Sequence, residues 1–558
     1  MHTTFKKTIL VSAIAVALAA CEGDDVSDGM DGANGAPGAD GLTSLIAQTV
    51  LPAGDSNCPE GGTQVDSGID ANGNGTLEAD EVDATSFVCN GVGGSVIDIA
   101  RVQQLLETNA DIARALYLDS VDTAQALSDA IDAFADDRSQ ANLDAAKMAW
   151  LVAREPYGQT EVYRFRLSPI DSTDYSEEDG PEGDINAWPL GEALIDYVVT
   201  NDGTLDDFEF DQVGITESAT PINAGGEVRG TEMPAINIIA SDVPITEELI
   251  SGTATADDER DVIAGYHAIE FLLWGQDLNN NGEVTTGADR ELAVKTSAAP
   301  NLAMGGQRPL ADFTTNPGAD RRIEYLQVAV AKLIADLQGV ADGWEDGVSG
   351  NYRDQFTTIT SENNAKVRLA QILTGMGTLS EGELAGERMQ IAFSANSQED
   401  EHSCFADNTH RDILLNYEGI ANSFYGDYSG YDANLNGVDD DGDNTARAVS
   451  GYGFDDYAAE VGRASLMAVA DALDAALTVT AGDVGDIDAA ARAGSPVDVL
   501  IQDANRTDPD NPMRAAILSL NAQSAQIAAL ADALEIDDTV VDDDASGCDT
   551  TNPDSECG

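Results

Sequence analysis

Along most of this chain apolar residues return every three or four positions, a spacing that suits helices packed on one another and little else. Ile99, Val102, Leu105 and Leu106 share one face directly behind Asp98, a good helix cap. The same period predicts helices over about 120–136, 140–154, 256–274, 320–341, 361–374, 382–393, 455–477 and 512–535. The last opens with Asn511-Pro512, a cap followed by proline at the first helical position. Strand patterns are scarce, and long Gly/Asn/Asp loops separate the helices. The expected fold is mainly α: two packed helical-bundle halves over 95–490, split near residue 310, then a helical extension over 491–536. Residues 537–558 form a low-complexity acidic tail, expected to be disordered.

Before this body the sequence changes character. Residues 1–20 carry Lys6 and Lys7, a run from Ile9 to Ala20 that is apolar except for Ser12, and then Leu18-Ala19-Ala20-Cys21. That order reads as a secretory signal ending in a lipobox, and the run is too short to span a bilayer. Cleavage before Cys21 and lipid on that cysteine would leave an exported chain held to a membrane. Glu22 stands where an Asp would favour inner-membrane retention, so the expected location is the outer membrane, on its periplasmic face or at the cell surface. No other stretch reads as a span of roughly 20 apolar residues, so the rest is expected to be soluble. From Gly29 to Thr43 the chain steps in Gly-X-Y triplets, too few to hold a triple helix, which makes residues 21–44 a tether. Residues 45–94 follow as a small cysteine-bracketed module.

Export implies oxidising surroundings. Cys58 with Cys89, and Cys548 with Cys557, are spaced for two local disulfides, which leaves Cys404 as a buried thiol. The formal charge is -74, and loss of the leader with its two lysines takes the mature chain to -76. Such a surface excludes a duplex nucleic-acid partner and favours cations, although a salt-adapted surface has the same composition.

The strongest local motif is DANGNGTLEADE, Asp70 to Glu81. It places oxygens of Asp70, Asn72, Asn74, Thr76, Glu78 and Glu81 at loop positions 1, 3, 5, 7, 9 and 12, with Gly75 at the sharp turn, as an EF-hand calcium loop requires. Flanking helices are not evident, so the calcium is expected to be structural within the disulfide-stapled module. Two related stretches lie in the body. DLNNNGEV offers Asp277, Asn279 and Asn281 but has Ala288 where the bidentate acid belongs; DANLNGVDDDGD offers Asp432, Asn434, Asn436, Asp441 and Asp443. Polar turns are the competing reading for both.

The mature chain has three histidines: His267, His402 and His410. In GYHAIEFLLWGQD, His267 and Glu270 are three apart on a predicted helix, hence on one face, where an imidazole and a carboxylate could share a transition metal if both look into one polar cavity. Gly265 would leave room beside them. A core histidine satisfied by packing has the same spacing, and the stretch is not a His-Glu-x-x-His zincin motif.

Gly265-x-His267-x-x-Glu270 running into Phe271-Leu272-Leu273-Trp274-Gly275-Gln276-Asp277 resembles the signature of the imelysins, also called the iron-regulated protein A or M75 peptidase family. AWLVAREPYGQTEVYRF (149–165), INAWPLGEALIDYV (185–198) and SCFADNTHRDILLNYEGIANSFYGDY (403–428) agree with it, over about residues 95 to 490. The resemblance implies an all-helical fold in two bundle-like halves, an extracytoplasmic location and a role tied to iron. It marks His267 and Glu270 as the functional pair and gives Arg154, Glu161, Arg164, Trp188, Glu192, His402 and His410 membership of the motifs. For Glu161, beside Arg164 and Arg166, a buried ion pair that ties helices together is the competing expectation, and His410 could equally stitch a loop.

Three functions remain at this point. The first is a lipoprotein that binds iron or an iron-bearing ligand through the GxHxxE site and hands it to an outer-membrane transport partner. The second is a metallopeptidase, for which the sequence supplies neither a general base nor a third ligand. The third is a calcium-stabilised surface adhesion or structural protein.

Overall fold

The computed structural model describes residues 43–53, 55–58, 60–89, 95–188, 190–199, 205–206, 227–228, 231–232, 238–251, 262–277, 305–306, 308–398, 400–437, 446–536, 540–541 and 547–557. The signal sequence, the lipidation residue Cys21 and nearly all of the tether lie outside these residues, as do Asn279, Asn281, Asp441 and Asp443. The chain divides into two units, with the boundary between Gly91 and Val92.

The first unit is an antiparallel sheet of β1 (Thr43–Ala53), β2 (Glu60–Asp70) and β3 (Val82–Cys89), in that order. Three strands cannot enclose a core of their own. Ile46 and Val50 stand 70% and 82% exposed, whereas Cys58 is fully buried in its disulfide to Cys89. The covalent staple substitutes for apolar burial, as is usual in domains this small. The 70–81 loop joins β2 to β3. At the foot of that loop Gly68 is indispensable, because a Cβ there would sit 1.8 Å from the Glu81 carbonyl oxygen.

The second unit is helical. Its first group comprises α1 (Ile99–Asp136), α2 (Gln140–Gly158), α3 (Gly265–Trp274) and α4 (Ala319–Gly343). Asp98 caps α1 by accepting from the Ala100 and Arg101 amides. The helix expected at 120–136 is the second half of α1, unbroken for 38 residues. A second group comprises α5 (Glu362–Thr378), α6 (Thr409–Tyr425), α7 (Ala464–Arg492) and α8 (Pro512–Ala533). Asn511 caps α8, and α2 packs on α6 to join the groups.

Several expectations need correction. The helix read over 382–393 is a π-helical segment, Leu379–Gln390, continuous with α5. The one read over 455–477 is two, since Gly462 ends Phe454–Val461 in a left-handed conformation before α7 begins. By length and composition α7 could cross a membrane, contrary to the sequence reading. Its alanines raise the mean hydropathy, while Leu466, Leu473, Leu477, Val484 and Ile487 are buried against neighbouring helices. Part of the acidic tail is also ordered. The Cys548–Cys557 disulfide closes a small knot whose Asp549, Asn552 and Ser555 carbonyls accept from Gln390, and Asp554 pairs with Arg514 at 2.5 Å. Charge in the tail did not exclude docking because the knot satisfies a buried amide.

Candidate metal centre

All ten residues of α3 are buried, so this helix has no polar face to spend on water. Any polar group on it must find a partner inside the protein. Val262, Ile263 and Ala264, expected to be helical, are not: the helix opens at Gly265, because Gly265 adopts φ +75° and Ala264 is extended. A Cβ at Gly265 would lie 2.3 Å from the Ile185 carbonyl oxygen. The glycine therefore admits the backbone of the 182–186 turn; it does not leave room for a ligand.

One turn on, His267 Nδ1 and Glu270 Oε2 are 3.0 Å apart, and Glu270 Oε1 accepts from the Ala406 amide at 2.8 Å. Both side chains are sealed, at 1% and 0% exposure. The expectation of a shared cavity open to solvent is not met. The remaining ring nitrogen, His267 Nε2, is buried with no hydrogen-bond partner among the described residues. Burial, with His402 and Arg154 nearby, pushes the imidazole well below its ordinary range, and burial pushes the Glu270 carboxyl well above its own.

The His402 ring stands edge-on to His267, with centroids 4.6 Å apart. It repeats the arrangement: His402 Nδ1 lies 2.8 Å from Asp412 Oδ2. Among the described residues its Nε2 has only a long contact, 3.5 Å, to Asn186 Nδ2. Burial, reinforced by Arg388, lowers His402 to about 4. Asp412 behaves oppositely: burial alone would raise it, but Arg154 and His402 hold it well below the carboxylate range. Arg154 donates to Asp412 Oδ1 through Nη2 at 2.9 Å and also to Asn186, with the Tyr266 ring against its guanidinium. Ser403 Oγ donates to Asp412 as well. The hydroxyl therefore faces the acid and not the imidazole, so Ser403, His402 and Asp412 do not form a hydrolytic triad.

A family model described as Imelysin, peptidase M75, matches residues 113–537. The chain belongs to the imelysin family. A model for a domain of unknown function, DUF7151, matches residues 43–89, the sheet module. Among solved structures, an iron-regulated protein A precursor from Parabacteroides distasonis is 16% identical, with 80% of this chain and 96% of that one covered at a TM-score of 0.46. An imelysin-like protein from Psychrobacter arcticum is 14% identical, covering 78% and 96%, at 0.43. No curated protein matches the chain.

The other motif residues of the imelysin body divide between this centre and its surroundings. Glu161 is a structural anion: Arg388 and Arg164 donate to Oε2 at 2.8 and 3.0 Å, and Asn186 to Oε1 at 3.2 Å. Burial opposes its charge, yet Arg388 and Arg164 bring it down to about 2. His410 turns away, with Nδ1 3.0 Å from the Asp407 carbonyl and Nε2 3.6 Å from Asp488. Trp188 is partly exposed in a connection, and Glu192 is buried at the head of a short helix. Sequence reading missed Asn186, Arg388, Ser403 and Asp412. Asn186, Ser403 and Asp412 lie inside the quoted motifs, but nothing in their spacing shows that they meet.

In the sheet module, Asp70 accepts from the Gly73, Asn74 and Gly75 amides at 2.6, 3.1 and 2.7 Å. Glu81 reaches back to the Ala71 amide at 2.9 Å, while Glu78 meets Asn72 and Asn74. The loop is closed, with Gly75 at φ +81°. In the body, buried Asp432 likewise accepts from the Asn436 and Gly437 amides. Cys404 is a buried free thiol.

Proposed function

We propose that this imelysin binds iron, or an iron-bearing ligand, through His267 Nε2 with His402 beside it. The observation that supports this reading is the buried Nε2, without a hydrogen-bond partner among the described residues, of a ring whose other nitrogen is already held by Glu270. A carboxylate on Nδ1 fixes a histidine's orientation and raises its basicity as a metal ligand, and the arrangement occurs twice here. Glu270 and Asp412 are then orienting groups, and water or the incoming ligand completes the coordination. Because the site is enclosed, an ion enters only through transient opening, so exchange is slow.

The peptidase reading gains nothing from this geometry: both Glu270 oxygens are engaged, which leaves no carboxylate aimed at a water. The chain acts at the outer membrane, anchored by lipid on Cys21, and passes its cargo to a transport partner there. Calcium in the 70–81 loop stiffens the module. Equilibrium dialysis of the purified chain against ferrous iron tests the central reading. One iron per chain, lost in His267→Ala with the helical spectrum retained, is the expected result; equal uptake by both proteins refutes it.

A further inference from the structure

We propose a second metal site, for a hard divalent cation such as calcium, built from Asp277, Asp407, Asp498 and Gln398. Three remote segments deliver the acids: the residues just beyond α3, the turn that precedes α6, and the short helix Val497–Leu500. One carboxylate oxygen from each lies within 4.8 Å of the other two, and all three side chains are buried. Oxygens that close together can reach one calcium ion, whose ligands stand about 2.4 Å from it.

A neutral group gives an independent indication. Gln398 is 3% exposed and donates Nε2 to Asp277, so its amide head lies at the cluster, yet its Oε1 has no hydrogen-bond partner among the described residues. A half-turn of the amide exchanges its oxygen and nitrogen. With a cation present, Oε1 replaces Nε2 against the acids and becomes a fourth oxygen ligand. The all-oxygen set selects calcium or a similar ion over iron.

The placement gives the ion a purpose. Asp277 lies three residues beyond the helix that carries His267 and Glu270. Asp407 follows Ala406, whose amide holds Glu270, and its own Oδ2 accepts from the Gly305 amide at 2.7 Å. A cation here pins the far end of α3 to the turn that supplies both the Glu270 anchor and, earlier in the chain, His402.

Calcium titration of the chelator-stripped full chain, followed by calorimetry and thermal unfolding, tests the site. Asp498→Asn should bind one calcium fewer than the parent and lose the calcium-dependent rise in the unfolding midpoint of the helical body. Should Asp498→Asn fail to fold, Gln398→Ala carries the same test, with affinity at this site reduced about tenfold by the loss of a neutral ligand. Unchanged stoichiometry and an unchanged calcium response in the folded variants overturn the proposal.

Discussion

Around Asp196 and around His267 the helical body buries charge in two different ways. Asp196 is saturated: Arg308 and Arg322 both meet Oδ2, Arg322 also donates to Oδ1 at 2.8 Å, and the Tyr197 amide adds a fourth bond. Burial alone would raise this acid, but Arg308 and Arg322 keep it lowered and charged. The His267 centre has the same depth and the same supply of acids and arginines nearby, yet its pairing stops one atom short. Each imidazole is tethered at Nδ1, and among the described residues the two Nε2 atoms have one long contact between them. Saturation serves a joint between helices. A buried nitrogen left unmet costs stability and is useful only if something else completes it.

The sharpest way to break this contrast is to remove one acid from the saturated cluster. Asp196→Ala leaves two buried guanidinium groups without their shared anion and should cost roughly 3–5 kcal/mol in denaturant unfolding. If that loss is small, the cluster is not a joint.

Acid titration comes next. The ordinary histidine value is about 6.5, and burial lowers His402 and His410 each to about 4. Between those values the unfolded chain takes up a proton that the native ring refuses. Stability is therefore full above about pH 6.5 and falls by roughly 1.4 kcal/mol per unit for each ring as the pH drops toward 4. Urea unfolding across that window should slope less steeply in His410→Gln than in the parent by about that amount, and identical slopes would mean that the ring is solvated.

Gly265→Ala should cost about 1–3 kcal/mol, since it combines a left-handed backbone with the Ile185 carbonyl in the way of the new methyl. Near-neutral behaviour in thermal unfolding would show that the 182–186 turn can retreat. The smallest effect is expected for His267→Gln, within about 1 kcal/mol of the parent, because the glutamine amide can keep the bond to Glu270 and the ring's outer edge bonds nothing among the described residues. Equal destabilisation by this change and Asp196→Ala would erase the distinction between the two clusters.

Much of this architecture is legible in the sequence, because helical period and caps are local properties. Asp98 and Asn511 open helices where capping chemistry places them, and the spacing of His267 and Glu270 correctly put them in contact. What the spacing could not say is which atoms meet. It suggested a nitrogen and a carboxylate side by side on one ion, whereas the folded helix aims the acid at Nδ1 and turns Nε2 outward from the pair. The second pair was hidden for a different reason. His402 and Asp412 are ten residues apart across a turn and the start of α6, and Arg154 and Asn186 arrive from other segments. No helical or strand period encodes such meetings. The π-helical segment was equally illegible, since Leu379–Gln390 has the composition of an ordinary helix.

X-ray absorption at the iron edge of the iron-loaded chain tests the central claim most directly. Imidazole scattering that diminishes in His267→Gln and again in the double variant with His402→Gln is the predicted result. Iron held entirely by oxygen, with a spectrum indifferent to both substitutions, would contradict it.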